Sequence, residues 1–345
     1  THLDGLDKLS IVGSNVSVVS NADLENIEGL SLLERIDGDL KITGNKGLKN
    51  IDGLQGLKGE VGGDVRIESQ QTLTNLNGLA SITDIAGALY INGNDSITDL
   101  EGLNGLKTIG GLISVKDNTS LTNIDALSSV YQANLHIQIE DNDALLNVDG
   151  LSLIQGVVPG NLHIRDNALL ANLEGLDAIE VVEGTLIIAG NTALTSLSGL
   201  NGIHTVKSGL TIEDNLALTS LTGLQTLSSL GGALAIRENV ALESITALQG
   251  LSGAFGSNIT VFGNPKLADL QGFSELNLVD GNMQVDGNDA LLSLSGLENI
   301  TTVTGALQIL NHAQLVDLDA LSNLTQIGSG LSIQGNDSLT SVAGL

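Results

Sequence analysis

The chain has no cysteine and no tryptophan, only five aromatic residues (Tyr90, Tyr131, Phe255, Phe262 and Phe273), two prolines and 13 lysines plus arginines against 40 acidic residues. Without cysteine there can be no disulfide-bonded end caps, and thiol usage says nothing about redox compartment. So few aromatics in 345 residues leave a core of leucine, isoleucine and valine, and 43 glycines imply a chain that turns often. The formal net charge of −27 carries no basic stripe that could release counterions from a phosphate backbone, which excludes nucleic acid and disfavours an anionic membrane. No apolar run reaches membrane-spanning length, and no secretory signal segment is evident. Catalytic signatures are missing too. There is no His-Glu-x-x-His pair, no phosphate-binding loop ending in Gly-Lys-Ser/Thr and no Gly-x-Ser-x-Gly elbow, and the five histidines (His2, His136, His163, His204 and His312) are scattered. An enzyme is not expected.

What is present is a period. Asparagine recurs every 24 or 25 residues, at Asn21, Asn45, Asn94, Asn118, Asn142, Asn167, Asn191, Asn215, Asn239, Asn264, Asn288 and Asn336, with Gln70 and His312 filling the two remaining steps. An apolar frame travels with it, as in Leu40, Ile42, Leu48, Ile51, Leu54 and Leu57. A short unit repeated fourteen times can bury its apolar side only by stacking on the next copy, so the chain reads as a solenoid. The alternating Leu-x-Ile before each Asn predicts a short strand, stacked coil on coil into a parallel sheet. The Asn stands where that strand ends. Its amide can donate twice and accept, and so can satisfy backbone groups freed by the turn. A Gly-Leu turn follows, as at Gly53-Leu54, and then a variable return. The 25-residue coils are expected to carry their extra residue near Glu60 to Gly63, Val157 to Gly160 and Ser252 to Ser257. Gln70 and His312 are expected to alter hydrogen bonding locally without breaking the stack.

These residues carry a family resemblance. Leu40-x-Ile42-x-x-Asn45-x-x-Leu48 resembles the strand-and-asparagine segment of leucine-rich repeats, and the likeness recurs along essentially the whole chain. The Gly-Leu step and the scarcity of helix formers after it resemble bacterial and marine microbial repeats of the receptor L-domain kind, as found in surface adhesins. The resemblance implies a leucine-rich-repeat solenoid of about fourteen 24–25-residue coils. Its parallel β-sheet would lie on the concave face, with mostly irregular or short-helical returns on the convex face. It also implies ligand binding on that concave sheet. A single domain over 1–345 is expected, with a partial coil over 1–12 and repeats over 13–345. Abrupt ends at Thr1 and Leu345 suggest a module cut from a larger protein.

Function must be read from the outward columns. Five of the thirteen basic residues fall in the two outward strand columns, making the sheet the least acidic surface. There Tyr90, Lys116, Gln138, Glu140, His163 and Arg165 span four coils and form a candidate site for a glycan or peptide, with an aromatic plate and polar forks. The competing reading is that exposed strands tolerate long side chains that pair with one another.

Two further columns are more regular. Five residues after each Asn come Asn26, Asn50, Asn75, Asp99, Asn123, Asn147 and Asn172; seven after it come Glu28, Asp52, Asn77, Glu101, Asp125, Asp149 and Glu174. Carboxylates repeating at coil spacing repel, so either hydrogen bonds from the Asn column or bound cations should offset them. Asp52, Glu101, Asp125 and Asp149 are the candidate ligands for Ca²⁺, which favours oxygen donors; no cofactor is required. The sequons at Asn94, Asn118 and Asn336 fall on ladder positions, leaving Asn15, Asn258, Asn299 and Asn323 as freer glycosylation candidates.

The expectation is therefore an extracellular recognition or adhesion module that binds a glycan or protein at a cell surface, without membrane insertion. The alternative is an acidic structural or surface-coating protein that holds Ca²⁺ or a mineral face through its carboxylates. Ice binding would need a flat array of Thr, and the outward strand columns are too mixed for it.

Overall fold

The computed structural model describes residue 3 and residues 5–344, so Thr1, His2, Asp4 and Leu345, with part of the coil expected over 1–12, lie outside the described residues. The chain is a parallel β-solenoid of about fourteen turns with almost no helix. It divides into two compact units, Thr1–Ile179 and Glu180–Leu345, each described by itself.

In the first unit the strands Val16–Val19, Leu40–Thr43, Val65–Glu68, Leu89–Asn92, Ile113–Lys116, Ile137–Glu140 and Leu162–Arg165 pair in parallel, residue for residue. In the second, Leu186–Ala189, Leu210–Glu213, Leu234–Arg237, Ile259–Phe262, Met283–Asp286, Leu307–Leu310 and Leu331–Gln334 do the same. The period of two in Leu-x-Ile decides the register, since a slip by one would turn every aliphatic side chain to solvent. Leu40, Ile42, Leu48, Ile51, Leu54 and Leu57 are at most 1% exposed, one layer of a core that is aliphatic apart from Phe255, Phe273 and Met283. Each such side chain contributes about 1.5–3 kcal/mol by leaving water.

Every strand ends the same way. The residue before the ladder position takes a left-handed conformation in all fourteen coils: Gly at 44, 93, 190, 263, 287 and 335, and Ser20, Ser69, Asp117, Asp141, Asp166, Asp214, Glu238 and Asn311 elsewhere, with φ between 52° and 68°. That single reversal swings the next side chain into the interior, where the ladder asparagines from Asn45 to Asn288 are 0% exposed.

The ladder then bonds as its chemistry requires. Asn142 Nδ2 donates to the Val115 and Glu140 carbonyls at 2.9 Å each, and Asn118 N–H donates to Asn142 Oδ1 at 3.2 Å. Both substitutes keep the stack and change the bonding. Gln70 Nε2 donates to the Ile42 and Glu68 carbonyls, but its longer side chain leaves Oε1 buried without a partner. His312 replaces an amide with an imidazole, Nδ1 lying 3.2 Å from the Asn288 N–H and Nε2 3.2 Å from the Val285 carbonyl.

At Asp52–Leu54 and seven matching places among the described residues the step expected as Gly-Leu is a single 3₁₀ turn, Leu54 N–H donating to Ile51 O at 2.9 Å, whereas Gly102, Gly175, Gly199, Gly223 and Gly296 form a left-handed turn with φ of 99–118°. A Cβ on Gly53 would collide with the Ile27 carbonyl of the coil below. Beyond these turns the returns contain a second set of short parallel strands, such as Gly59–Val61, Ile82–Ile85, Thr108–Ile109 and Gln132–Ala133. The extra residue of the 25-residue coils is absorbed at their first position. Gly59, Gly156 and Gly253 take φ of 71–72° in open space, and the pairing register shifts at Gly59/Glu60 and Gly253/Ala254. That is a glycine bulge, one residue ahead of the expected segment at Gly59 and Gly156 and inside it at Gly253, and it leaves the main sheet undisturbed.

Candidate functional site

Parallel pairing places the outward residues of the first unit in two columns. One runs Lys41, Arg66, Tyr90, Ser114, Gln138, His163; the other runs Thr43, Glu68, Asn92, Lys116, Glu140, Arg165. The six residues expected to form a site therefore share one face. They do not project freely from it. Lys116 Nζ lies 2.9 Å from Glu140 Oε2, and His163 Nδ1 lies 3.6 Å from Glu140 Oε1, with these side chains 13–25% exposed. Gln138 lies in register between Ser114 and His163. Arg165, whose side chain is 44% exposed, reaches Asp166 at 3.9 Å.

Tyr90 is not an open plate, because the Arg66 guanidinium lies 3.7 Å from its ring centroid and occupies one face. Arg66 is itself held by Asp64 at 2.8 Å and lies 4.0 Å from Glu68. Asn92 Nδ2 donates to Glu68 Oε1 at 3.3 Å, and Ser114 Oγ donates to Asn92 Oδ1 at 3.0 Å. The sheet face thus carries two clusters, one joining Asp64, Arg66, Tyr90, Glu68, Asn92 and Ser114 and the other joining Lys116, Glu140 and His163, so long side chains on these strands pair with one another as the competing reading expects. Arg66 precedes Tyr90 by one coil in the same outward column, so its place is legible in the repeat, whereas Asp64 stands ahead of the strand, outside both outward columns.

Charge on this face departs from the rest of the chain. The two columns hold Lys41, Arg66, Lys116 and Arg165 against Glu68 and Glu140, a surplus of two positive charges in a chain of −27. Carboxylates border it: Asp117, Asp141 and Asp166 stand on consecutive coils at the strand ends. Burial first, then the Asp117, Asp166 and Glu140 charges, raise the Asp141 pKa against the opposing pull of Arg165. Burial lowers the His163 pKa, outweighing Glu140, so the imidazole is held toward its neutral form.

The acidic ridge needs a different explanation from the one the sequence suggested. Asn50 Oδ1 accepts from Asp52 N–H at 3.2 Å, Asn123 from Asp125 N–H at 3.2 Å and Asn147 from Asp149 N–H at 3.2 Å; Asp99 does the same for Glu101 N–H at 2.9 Å. The Asn column does not neutralise the carboxylates. It accepts the backbone N–H two residues on, at the start of the Gly-Leu turn, a place that Asp99 fills at 2.9 Å and Ser244 at 3.3 Å. Asp52, Glu101, Asp125 and Asp149 are exposed, and among the described residues no three His, Asp or Glu side chains come together to hold a metal ion. Asp99, Glu101, Asn104, Asn123 and Asp125 border a shallow cleft of about 240 Å³. A cleft of about 340 Å³ near the start of the chain is lined mainly by Leu3, Leu6, Leu9 and Leu30, and among the described residues it gathers no titratable group.

The glycosylation candidates are engaged although exposed. Asn15 Oδ1 accepts from Asp39 N–H, Asn258 Oδ1 accepts from Asn282 N–H, and Asn299 and Asn323 donate to the Ser274 and Glu298 carbonyls. Asn94 and Asn118 are fully buried.

Residues 276–340 match the family profile of the receptor L domain. Among solved structures, an internalin (inlF) from Listeria monocytogenes str. 4b F2365 aligns over 94% of this chain and 87% of its own at 16% identity and a TM-score of 0.36. No curated protein matches in sequence. Among the described residues no helix is long and apolar enough to cross a membrane.

Proposed function

We propose that this chain, a solenoid of the leucine-rich-repeat kind with a receptor L domain match at residues 276–340, is an extracellular recognition module whose ligand, a protein or glycan, docks on the strand face of the first unit. The observation that carries this reading is the convergence of Arg66, Tyr90, Lys116, Glu140, His163 and Arg165 on one sheet of an otherwise acidic chain. Their mutual pairing fixes side chains that would otherwise lose rotamer freedom on binding, which lowers the entropic cost of association. Tyrosine and arginine are also the side chains that most often anchor interfaces. Because Arg66 covers one ring face of Tyr90, a sugar has only the other face or the ring edge to stack on. That favours a protein segment, which can use the amide and charged groups as well.

The test is a glycan array and a displayed-peptide library probed with the whole chain. Binders selected there should be lost when Tyr90, Lys116 and Arg165 are together replaced by Ala, with circular dichroism unchanged. They should be retained when Asp125 and Asp149 become Ala in calcium-free buffer. Loss on the ridge and silence on the strands would reject the sheet-face reading.

A further inference from the structure

One of the fourteen ladder positions is titratable. His312 is 0% exposed and does the work that an amide does elsewhere in the ladder: it accepts from Asn288 N–H through Nδ1 and donates to the Val285 carbonyl through Nε2, each at 3.2 Å. Its own N–H donates to Asn336 Oδ1 at 3.0 Å, which ties it to the next coil. An amide carries its acceptor and donors at any ordinary pH. An imidazole reproduces that pattern only when neutral and only as the Nε2–H tautomer, because protonation turns Nδ1 into a second donor.

We propose that His312 makes the coils around it, from the strand Met283–Asp286 to the strand Leu331–Gln334, an acid-labile segment of the second unit. A proton on Nδ1 faces the Asn288 N–H, donor against donor. The new N–H can turn to the Asn288 carbonyl, also 3.2 Å away, but the Asn288 amide then stays buried without an acceptor. The charged groups acting on the ring are Asp286 and Asp289 of the preceding coil, while the following coil meets it with the neutral Asn336 amide. Asp286 already accepts from Gln284 Nε2 and Asn311 Nδ2, so much of its capacity is used.

Burial lowers the His312 pKa from 6.5, outweighing the backbone carbonyls and the two aspartates, so the folded coil holds its proton less tightly than the unfolded chain does. The sign follows. This contribution to stability is complete above about pH 6.5 and is lost as pH falls toward the folded value. In that window each opening takes up one proton, so the opening constant should rise about tenfold per pH unit.

The experiment is amide hydrogen exchange of the whole chain at pH 7.5, 6.5 and 5.5, corrected for intrinsic exchange and followed at Asn288 and the strand Leu307–Leu310. Protection in the wild type should fall with that slope below pH 6.5. His312→Asn, which installs the ordinary ladder residue, should flatten it, and His163→Gln should leave it unchanged. The same slope in His312→Asn, or no slope in the wild type, overturns the proposal. An NMR titration of the His312 imidazole in the wild type provides a check that needs no variant, and a ring titrating at 6.5 or above also overturns it.

Discussion

The Arg66 guanidinium stacks on the Tyr90 ring at 3.7 Å from the centroid, one coil away and at the same height in the sheet. The pair is possible because parallel strands without stagger put position i of one coil beside position i of the next. Asp64 then fixes the guanidinium from the coil's own approach to the strand. A half-desolvated stack of this kind is worth about 0.5–2 kcal/mol. A double-mutant cycle on Arg66→Ala and Tyr90→Ala, measured by urea unfolding, should give a coupling of about 1 kcal/mol. Strict additivity would mean that the two side chains are neighbours without being partners.

The ladder allows a sharper test. Replacing Asn142 by Ala removes the acceptor for Asn118 N–H and the donors to the Val115 and Glu140 carbonyls in a fully buried place. The cost should be about 1–3 kcal/mol. Asn142→Asp should be nearly as damaging at neutral pH, since a carboxylate keeps the acceptor but sets negative charge against two carbonyl oxygens. Unfolding midpoints equal to the parent's for both would sink the ladder assignment.

Gln70 points in the opposite direction. Its Oε1 is buried and unpartnered, because the extra methylene carries the amide past the place that Asn occupies in the other coils. Gln70→Asn should let the side chain accept from the Asn45 N–H and raise stability by about 1 kcal/mol. A decrease would show that the enlarged turn is adapted to glutamine.

How much of this was readable from the chain follows from what repeats. The strand register and the buried ladder were legible because Leu-x-Ile and Asn recur without interruption, and stacking leaves them one arrangement. The left-handed residue ahead of the ladder was hidden because Ser20, Asp117 and Glu238 share no composition with Gly44, only a φ. A second, broken ladder at the strand starts was hidden for the same reason: Asn15, Asp39, Asp64 and His136 each accept an N–H from the next coil, but the column changes identity as it goes. The role of Asn50 and Asn123 was misjudged because periodicity shows that a position is constrained and not by what. In the site, the column assignment placed every side chain on the correct face, whereas the pairing among them depends on rotamers that no period encodes.

The same left-handed row makes a prediction about backbone strain. Glu238 holds φ 52° where six other coils use glycine. A residue with a Cβ gives up about 1 kcal/mol in that conformation, and a long unbranched acid has no local hydrogen bond to recover it as Asp or Asn can. Glu238→Gly should therefore raise the unfolding midpoint, by an amount equivalent to about 0.5–1 kcal/mol after the added freedom of the unfolded chain is counted. A lower midpoint would show that the Glu238 side chain contributes more than its backbone costs.

The acidic ridge leads to a prediction about cations. With Asn50, Asn123 and Asn147 bound to backbone N–H groups, the neighbouring carboxylates have no hydrogen bonds from that column, and they stand exposed to water. Exposed charges repeating at about 4.8 Å are relieved by any counterion, since screening acts over about 10 Å at 0.1 M salt. Ca²⁺ should then raise the melting temperature no more than NaCl at equal ionic strength, and Asp125→Asn with Asp149→Asn should raise it in low salt by removing repulsion. The informative contrary result is a calcium-specific rise that the double variant abolishes. It would place a cation between coils and move the functional surface from the strands to the ridge.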